Sequence, residues 1–260
     1  MTQTERRQYL IRSLLEESPS YKTIPVPTQA SEQRSLLRGL MNVRTAAPIS
    51  AEFERIQDLY LREEAARKGT ISLEDLTPMQ AGLYLWRGDI TRLRCGAIVN
   101  AANSGMTGCY QPCHNCIDNC IHTWAGIQLR NACQELMDAQ GHPEPTGQAK
   151  LTSAYNLPCD YVIHTVGPIV DGALTQRHRD LLASCYRACL TLAEEQRIQS
   201  IAFCCISTGV FRFPREEAAE IAVDTVKTWL AETGSRMAVI FNVHGAENEA
   251  IYRRILTAAS

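Results

Sequence analysis

The chain has 260 residues, is 45% hydrophobic and 21% charged, and carries a formal net charge of -2. That composition supplies a core for one large domain, or one domain with an appendage, and leaves no electrostatic surplus for nucleic acid or an anionic membrane. No apolar run approaches the roughly 20 residues needed to span a bilayer, and the charged, helix-patterned start MTQTERRQYLIRSLLEESP does not read as a signal peptide, so a cytoplasmic protein is expected.

Residues 1–75 read as a helical N-terminal extension. Apolar residues recur at helical spacing through Leu10, Ile11, Leu14 and Leu15, then through Leu36, Leu37, Leu40 and Met41. A third helix is expected after Ser50, a natural N-cap, with Phe53, Ile56, Leu59 and Tyr60 on one face and Gly69 at its end. Nothing in these residues states a role beyond packing.

From about Gly82 the pattern becomes one of strands alternating with helices. Strands are expected in LYLWRGDI, CGAIVNAAN, LTSAYN, YVIHTVG, SIAFCCIS and MAVIFNVHG. One continuous helix is expected from Ile117 to Ala139, with others over Arg179 to Glu195, Pro214 to Glu232 and Glu247 to Thr257. Such alternation implies an α/β sandwich with a mainly parallel sheet, spanning residues 76–260. Ligands of such folds bind beyond the carboxyl ends of the strands. The segments after AIVN and after FCCIS are therefore candidate site loops.

Three segments carry polar chemistry there. Gly88-Asp89-Ile90-Thr91 places a carboxylate at a strand end, where it can accept from an exocyclic amine; alone, it is an ordinary turn. Asn100-Ala101-Ala102-Asn103 combines small residues, which permit close backbone approach, with amides that donate and accept. Ser207-Thr208-Gly209-Val210-Phe211 leads into a helix and can offer backbone N–H groups to a phosphate.

In this order, G-D-I-T, N-A-A-N, I-D-x-x-I-H-x-x-A-G and S-T-G-x-F-x-F-P resemble the macrodomain family from Gly82 to the C-terminus. The resemblance implies a three-layer α/β/α sandwich with a mixed, mostly parallel sheet, and an ADP-ribose site. It places Asp89 and Ile90 at adenine, the loop of Ser207, Thr208, Gly209, Val210 and Phe211 around the pyrophosphate, and Asn103 at the distal ribose. Ile117, Asp118 and Asn119 would also line the ligand, with Asn103 and Asp118 catalytic. Apart from the resemblance, Asp118 can also be read as an anion stabilising a helix N-terminus.

Cysteine is the anomaly of the composition, at eleven residues. Intracellular thiols stay reduced, and Cys185, Cys189, Cys204 and Cys205 fit apolar core patterns. Cys109, Cys113, Cys116 and Cys120 instead crowd into twelve residues with His114 among them. Cys109, His114 and Cys116 can wrap one Zn2+ ion from a single loop, leaving the fourth position open as catalytic zinc requires. Cys113 would convert this into a closed four-ligand site, and Cys120 reads as core-facing. Many hydrolytic macrodomains carry a glycine-rich loop here; the exchange for soft ligands is similar to the zinc-dependent microbial branch. That branch implies a mono-ADP-ribosylated protein substrate, modified on Asp or Glu, and two partners: a sirtuin-type ADP-ribosyltransferase and a lipoylated carrier protein. A non-catalytic ADP-ribose reader and an O-acetyl-ADP-ribose deacetylase remain alternatives. Arg212 replaces a glycine of many relatives, to narrow the site or to contact phosphate.

Overall fold

The computed structural model describes residues 1–258. Three helices come first: α1 (Gln3–Glu16), α2 (Ala30–Val43) and α3 (Ala51–Lys68). Thr2 and Glu5 close a capping box on α1, Ser50 caps α3 through the Phe53 N–H, and Gly69 ends α3 at φ 74°. Leu10, Ile11, Leu37, Phe53, Ile56 and Leu61 are at most 2% exposed and form a core of their own, joined by Ile127. Burying each such side chain contributes about 1.5–3 kcal/mol, so the three helices form a packed unit.

That unit is seated on the remainder of the chain by satisfied polar contacts. Gln57, fully buried, donates to Gln128 Oε1 at 2.7 Å and accepts the Ile127 N–H at 3.0 Å. Asp58 Oδ1 accepts from Gln128 at 2.8 Å and from Asn156 at 2.7 Å. A polar seam of this kind fixes orientation, because each misplaced group would lose a hydrogen bond without water to replace it.

The rest runs β1 (Ile71–Ser72), β2 (Pro78–Gln80), β3 (Leu83–Arg87), β4 (Leu93–Arg94), β5 (Ala97–Ala102), α4 (Ile117–Ala125), α5 (Ile127–Gln140), β6 (Ala149–Ser153), β7 (Tyr161–Val166), α6 (Gln176–Glu195), β8 (Ser200–Phe203), α7 (Arg215–Thr233), β9 (Ala238–Val243) and α8 (Ala246–Ala258). The main sheet has seven strands in the order β2-β3-β9-β8-β5-β7-β6. Its five central strands are parallel, and β2 and β6 add antiparallel edges. Ile98, Val99, Ile201, Ala202, Val239 and Ile240 have no exposure, as expected for strands covered on both faces. On β7, His164 turns toward Cys133 of α5, while the next residue, Thr165, meets Cys185 and Cys189 of α6. Helices therefore cover both faces, giving the expected α/β/α sandwich with a mixed, mostly parallel sheet.

After β5 the chain winds toward β7 and β6; after β8 it winds toward β9. Connections that part in opposite directions leave a crevice at the carboxyl ends of β5 and β8, where ligands of such sheets bind.

One expectation is corrected, and one pairing is added. The continuous helix from Ile117 to Ala139 is two helices, divided at Gly126, whose φ of 98° and ψ of 173° lie in a region open essentially only to glycine. The short strands β1 and β4 pair in parallel, Ile71 with Leu93 and Ser72 with Arg94, although neither segment shows strand alternation. The break at Gly126 lets α4 aim its first turn into the crevice while α5 runs along the sheet. Gly126→Ala should therefore lower unfolding free energy by about 1–3 kcal/mol, the cost of forcing a side chain into that backbone region. Urea denaturation followed by circular dichroism measures it, and unchanged stability would contradict the assigned role.

Candidate active site

Three loops meet at the crevice. At one end, Asp89 follows β3 and turns its Oδ1 to the Thr91 N–H at 3.0 Å and the Thr91 hydroxyl at 2.6 Å. Its Oδ2 faces Lys68 Nζ, from α3, at 3.5 Å. Lys68 also lies 3.3 Å from the centroid of the Trp124 ring, and its partial burial lowers the pKa of its ammonium. Asn242, at the end of β9, donates to Gly88 O at 3.1 Å and so steadies the turn before Asp89. Ile90 is only 1% exposed, so its side chain belongs to the core.

In the middle lies the loop from Ser207 to Phe213. Ser207 has φ 64° and Arg212 φ 58°. The loop closes on itself through Arg212 N–H to Gly209 O at 3.0 Å and Phe213 N–H to Ser207 O at 3.0 Å. Among the described residues the N–H groups of Gly209, Val210 and Phe211 have no backbone acceptor, the condition for an anion-binding loop. Gly167, after β7, presses against this loop: a Cβ there would stand 2.1 Å from Ser207 Oγ. Arg212 pairs with Asp171 at 3.0 Å, both side chains well exposed, and the Val170 N–H donates to Phe211 O at 2.9 Å. Arg212 thus ties two loops together across the surface.

At the far end, Asp118 sits in the first turn of α4 and is 5% exposed. Two amides of the N-A-A-N segment hold it. Asn100 donates to Oδ1 at 2.8 Å, and Asn103 to Oδ2 at 3.4 Å. Burial raises the carboxyl pKa to about 6, opposed by the Asn100 hydrogen bond and by Arg130. Beneath it, the Asn100 amide also reaches His164 Nδ1 at 3.2 Å, and His164 Nε2 meets Thr152 Oγ1 at 2.9 Å. An amide donating to Nδ1 leaves the proton on Nε2, donated to Thr152. Burial depresses His164 to about 3 and His122 far below its usual value, so both rings are neutral. His122 Nε2 lies 3.5 Å from Asp118 Oδ1, and with a neutral ring this contact is no ion pair.

Beside Asp118 is the cysteine-rich loop. Cys116 is the N-cap of α4, its Sγ accepting the Asn119 N–H at 3.4 Å. The ligand atoms of Cys109, His114 and Cys116 lie within 4.8 Å of one another, with Cys109 Sγ and His114 Nδ1 at 3.5 Å. Two thiols and an imidazole so gathered fit Zn2+ in both chemistry and number. Burial pushes the Cys116 thiol up to about 12, so metal binding would displace a proton. Cys113 turns away toward α2, and Cys120 lies 3.7 Å from Arg38 of that helix rather than in the main core. All eleven cysteines are free.

His122, Cys133 and His164 also place ligand atoms within 4.8 Å of one another. Both nitrogens of His164 are engaged, however, so this group is better described as a buried support beneath Asp118. Asn119 has no exposure; it donates to Cys109 O at 3.3 Å and Gln111 O at 2.9 Å and accepts from Arg38 at 3.0 Å. Its side chain is committed to the loop rather than to the crevice. Sequence reading passed over Lys68, Arg38, Asn42 and Arg130. Each acts across a long stretch of chain, and no local pattern marks such a residue.

Residues 99–222 match the Macro domain family model. The chain is 57% identical to a protein-ADP-ribose hydrolase of Treponema medium, over 99% of this chain and 100% of that one. It is 46% identical to a protein-ADP-ribose hydrolase of Staphylococcus aureus, over 95% and 94%. Among solved structures it resembles a Trypanosoma brucei macrodomain in complex with ADP-ribose, at TM-score 0.64 and 29% identity over 88% and 96% of the two chains. With the sheet order, the crevice loops and these relatives in agreement, the chain belongs to the macrodomain family.

Proposed function

We propose that this chain is a zinc-dependent hydrolase that releases mono-ADP-ribose from acidic side chains of modified proteins. Its relatives at high identity over their full length are named protein-ADP-ribose hydrolases. The observation that carries the reading is the position of Asp118: a buried carboxylate, held by Asn100 and Asn103, two residues from Cys116 and the gathered soft donors.

The site lends itself to a division of labour. Asp89, its Oδ1 fixed by Thr91, accepts from the adenine amine. The N–H groups of Gly209, Val210 and Phe211 and the start of α7 hold the pyrophosphate. These contacts lie away from the reacting bond, and their binding energy orients the distal ribose. Asn103 meets that ribose; its long contact to Asp118 can be exchanged for a sugar hydroxyl. Asp118, raised to about 6 yet ionised at neutral pH, orients the attacking water and takes up its proton. Cys109, His114 and Cys116 would hold Zn2+, which supplies Lewis acidity at this end of the crevice. An ester to Asp or Glu has a competent carboxylate leaving group, so this machinery suffices.

The test is release of ADP-ribose from an aspartate- or glutamate-modified protein. Asp118→Asn should lower the rate constant by about 100-fold or more, the usual contribution of a positioned base, while calorimetry shows ADP-ribose affinity within a few-fold of wild type. Turnover lost in proportion to affinity would instead make Asp118 a binding residue. Cys116→Ala should lose bound zinc and most activity, and chelation should reproduce that loss reversibly in wild type. Undiminished release after complete zinc removal would refute the metal requirement; binding without any release would identify a reader.

A further inference from the structure

Helix α2 carries none of the groups assigned to binding or hydrolysis, yet it contacts the cysteine-rich loop from Ser35 to Asn42. Arg38 donates through Nη2 to His114 O at 2.6 Å and to Asn119 Oδ1 at 3.0 Å, and through Nη1 to Asn115 Oδ1 at 3.4 Å. Asn119 passes that hold onward, donating to Cys109 O at 3.3 Å, to Gln111 O at 2.9 Å and through its N–H to Cys116 Sγ at 3.4 Å. One guanidinium therefore holds the backbone of His114 directly and, through the Asn119 side chain, that of Cys109, while the Asn119 N–H caps Cys116 at the same point of the loop.

The same helix treats Cys113 differently. Cys113 has φ 56°, a left-handed backbone that a side chain rarely adopts. Its N–H donates to Asn42 Oδ1 at 2.9 Å, and its thiol to Ser35 O at 3.3 Å. The loop lies over Gly39, where a Cβ would make ordinary contact with Pro112 Cβ at 3.8 Å and Cys113 Sγ at 3.9 Å. A third thiolate joining two others and an imidazole would close a tetrahedral zinc site and remove its open position. Cys113 is adjacent to His114, and α2 holds it on the opposite side of the loop.

We propose that α2 sets the coordination number of the metal site. Arg38 and Asn42 draw Cys109, His114 and Cys116 together and keep Cys113 on the helix, so that the metal retains an open position. This rests on the assignment of those three residues as zinc ligands. Arg38 and Asn42 are positioning residues and touch neither substrate nor metal.

The test uses the full chain, stripped of metal and loaded with Co2+ as a spectroscopic probe. Thiolate charge-transfer intensity counts the cysteine ligands, and competition with a chromophoric chelator measures affinity. Wild type should take up one Co2+ with two thiolates, and Cys113→Ser should match it in spectrum and affinity. Arg38→Met should weaken metal binding by about 10- to 100-fold, the usual effect of removing a group that orients ligands, and Arg38→Lys should recover part of that loss. Asn42→Ala should gain a third thiolate, and the gain should vanish in the double variant Asn42→Ala/Cys113→Ser. Unchanged affinity in folded Arg38→Met, a wild-type spectrum in Asn42→Ala, or an altered spectrum in Cys113→Ser would each overturn the proposal. If Arg38→Met fails to fold, the Asn42→Ala and Cys113→Ser arms decide by themselves. Wild type that binds no Co2+ would remove the ligand assignment itself and the proposal with it, a result distinct from any of these.

Discussion

Arg130 is the side chain on which the arrangement around the crevice depends. It rises from α5, is 4% exposed, and donates to Thr107 O at 2.7 Å, Asn42 O at 2.8 Å and Met41 O at 3.1 Å, as well as to Arg44 O. The carbonyls of Met41, Asn42 and Arg44 belong to the end of α2, where the helix dipole is negative, so a buried cation is balanced there without a paired carboxylate. The Tyr110 ring, 4.4 Å from the guanidinium carbon, covers it. Thr107 stands two residues before Cys109. One side chain thereby docks the N-terminal helices and seats the start of the cysteine-rich loop. A buried charge left without partners costs several kcal/mol, so the two tasks cannot easily be separated.

A second buried network lies beneath Asp118. Thr152, His164 and Asn100 form a chain of hydrogen bonds across β6, β7 and β5 that ends on the carboxylate. Because His164 is neutral, the chain adds dipoles rather than charge. The carboxylate is therefore stabilised enough to ionise near neutral pH, while burial keeps it more basic than a surface aspartate. That balance suits a group that must both accept a proton and give it up. His122, also neutral, adds bulk and shape beside it without forming an ion pair.

The crevice was legible in the sequence because its parts are local. Asp89 with Thr91, Asn100 with Asn103, and Ser207 through Phe213 are short segments whose composition already states a turn, an amide pair and a glycine-containing loop. Cys109, His114 and Cys116 fall within one loop, so their spacing alone allowed them to converge. The helix break at Gly126 was not legible because one glycine inside an apolar, helix-patterned run does not announce a break. Cys120 was misread for a related reason: one helical turn beyond Cys116 lies a second packing surface, the seam with α2, and periodicity cannot tell one buried face from another. Arg212, ambiguous in sequence, found Asp171 on a neighbouring loop.

By itself, then, the sequence determined the element types, the strand-ending motifs and the set of soft donors, since these follow from short-range pattern and side-chain chemistry. Tertiary structure alone decided what the N-terminal helices do. Arg38 meets Asn119 across 81 residues, Asn42 meets Cys113 across 71, and Lys68 meets Asp89 from a separate helix. Contacts of that range depend on where whole elements pack, and no periodicity along the chain encodes them. The division between a cysteine that faces the other donors and one that faces α2 is of the same kind. Sequence spacing admits either Cys113 or Cys116 beside Cys109 and His114, and the fold separates them by making Cys116 the N-cap of α4 and holding Cys113 against α2.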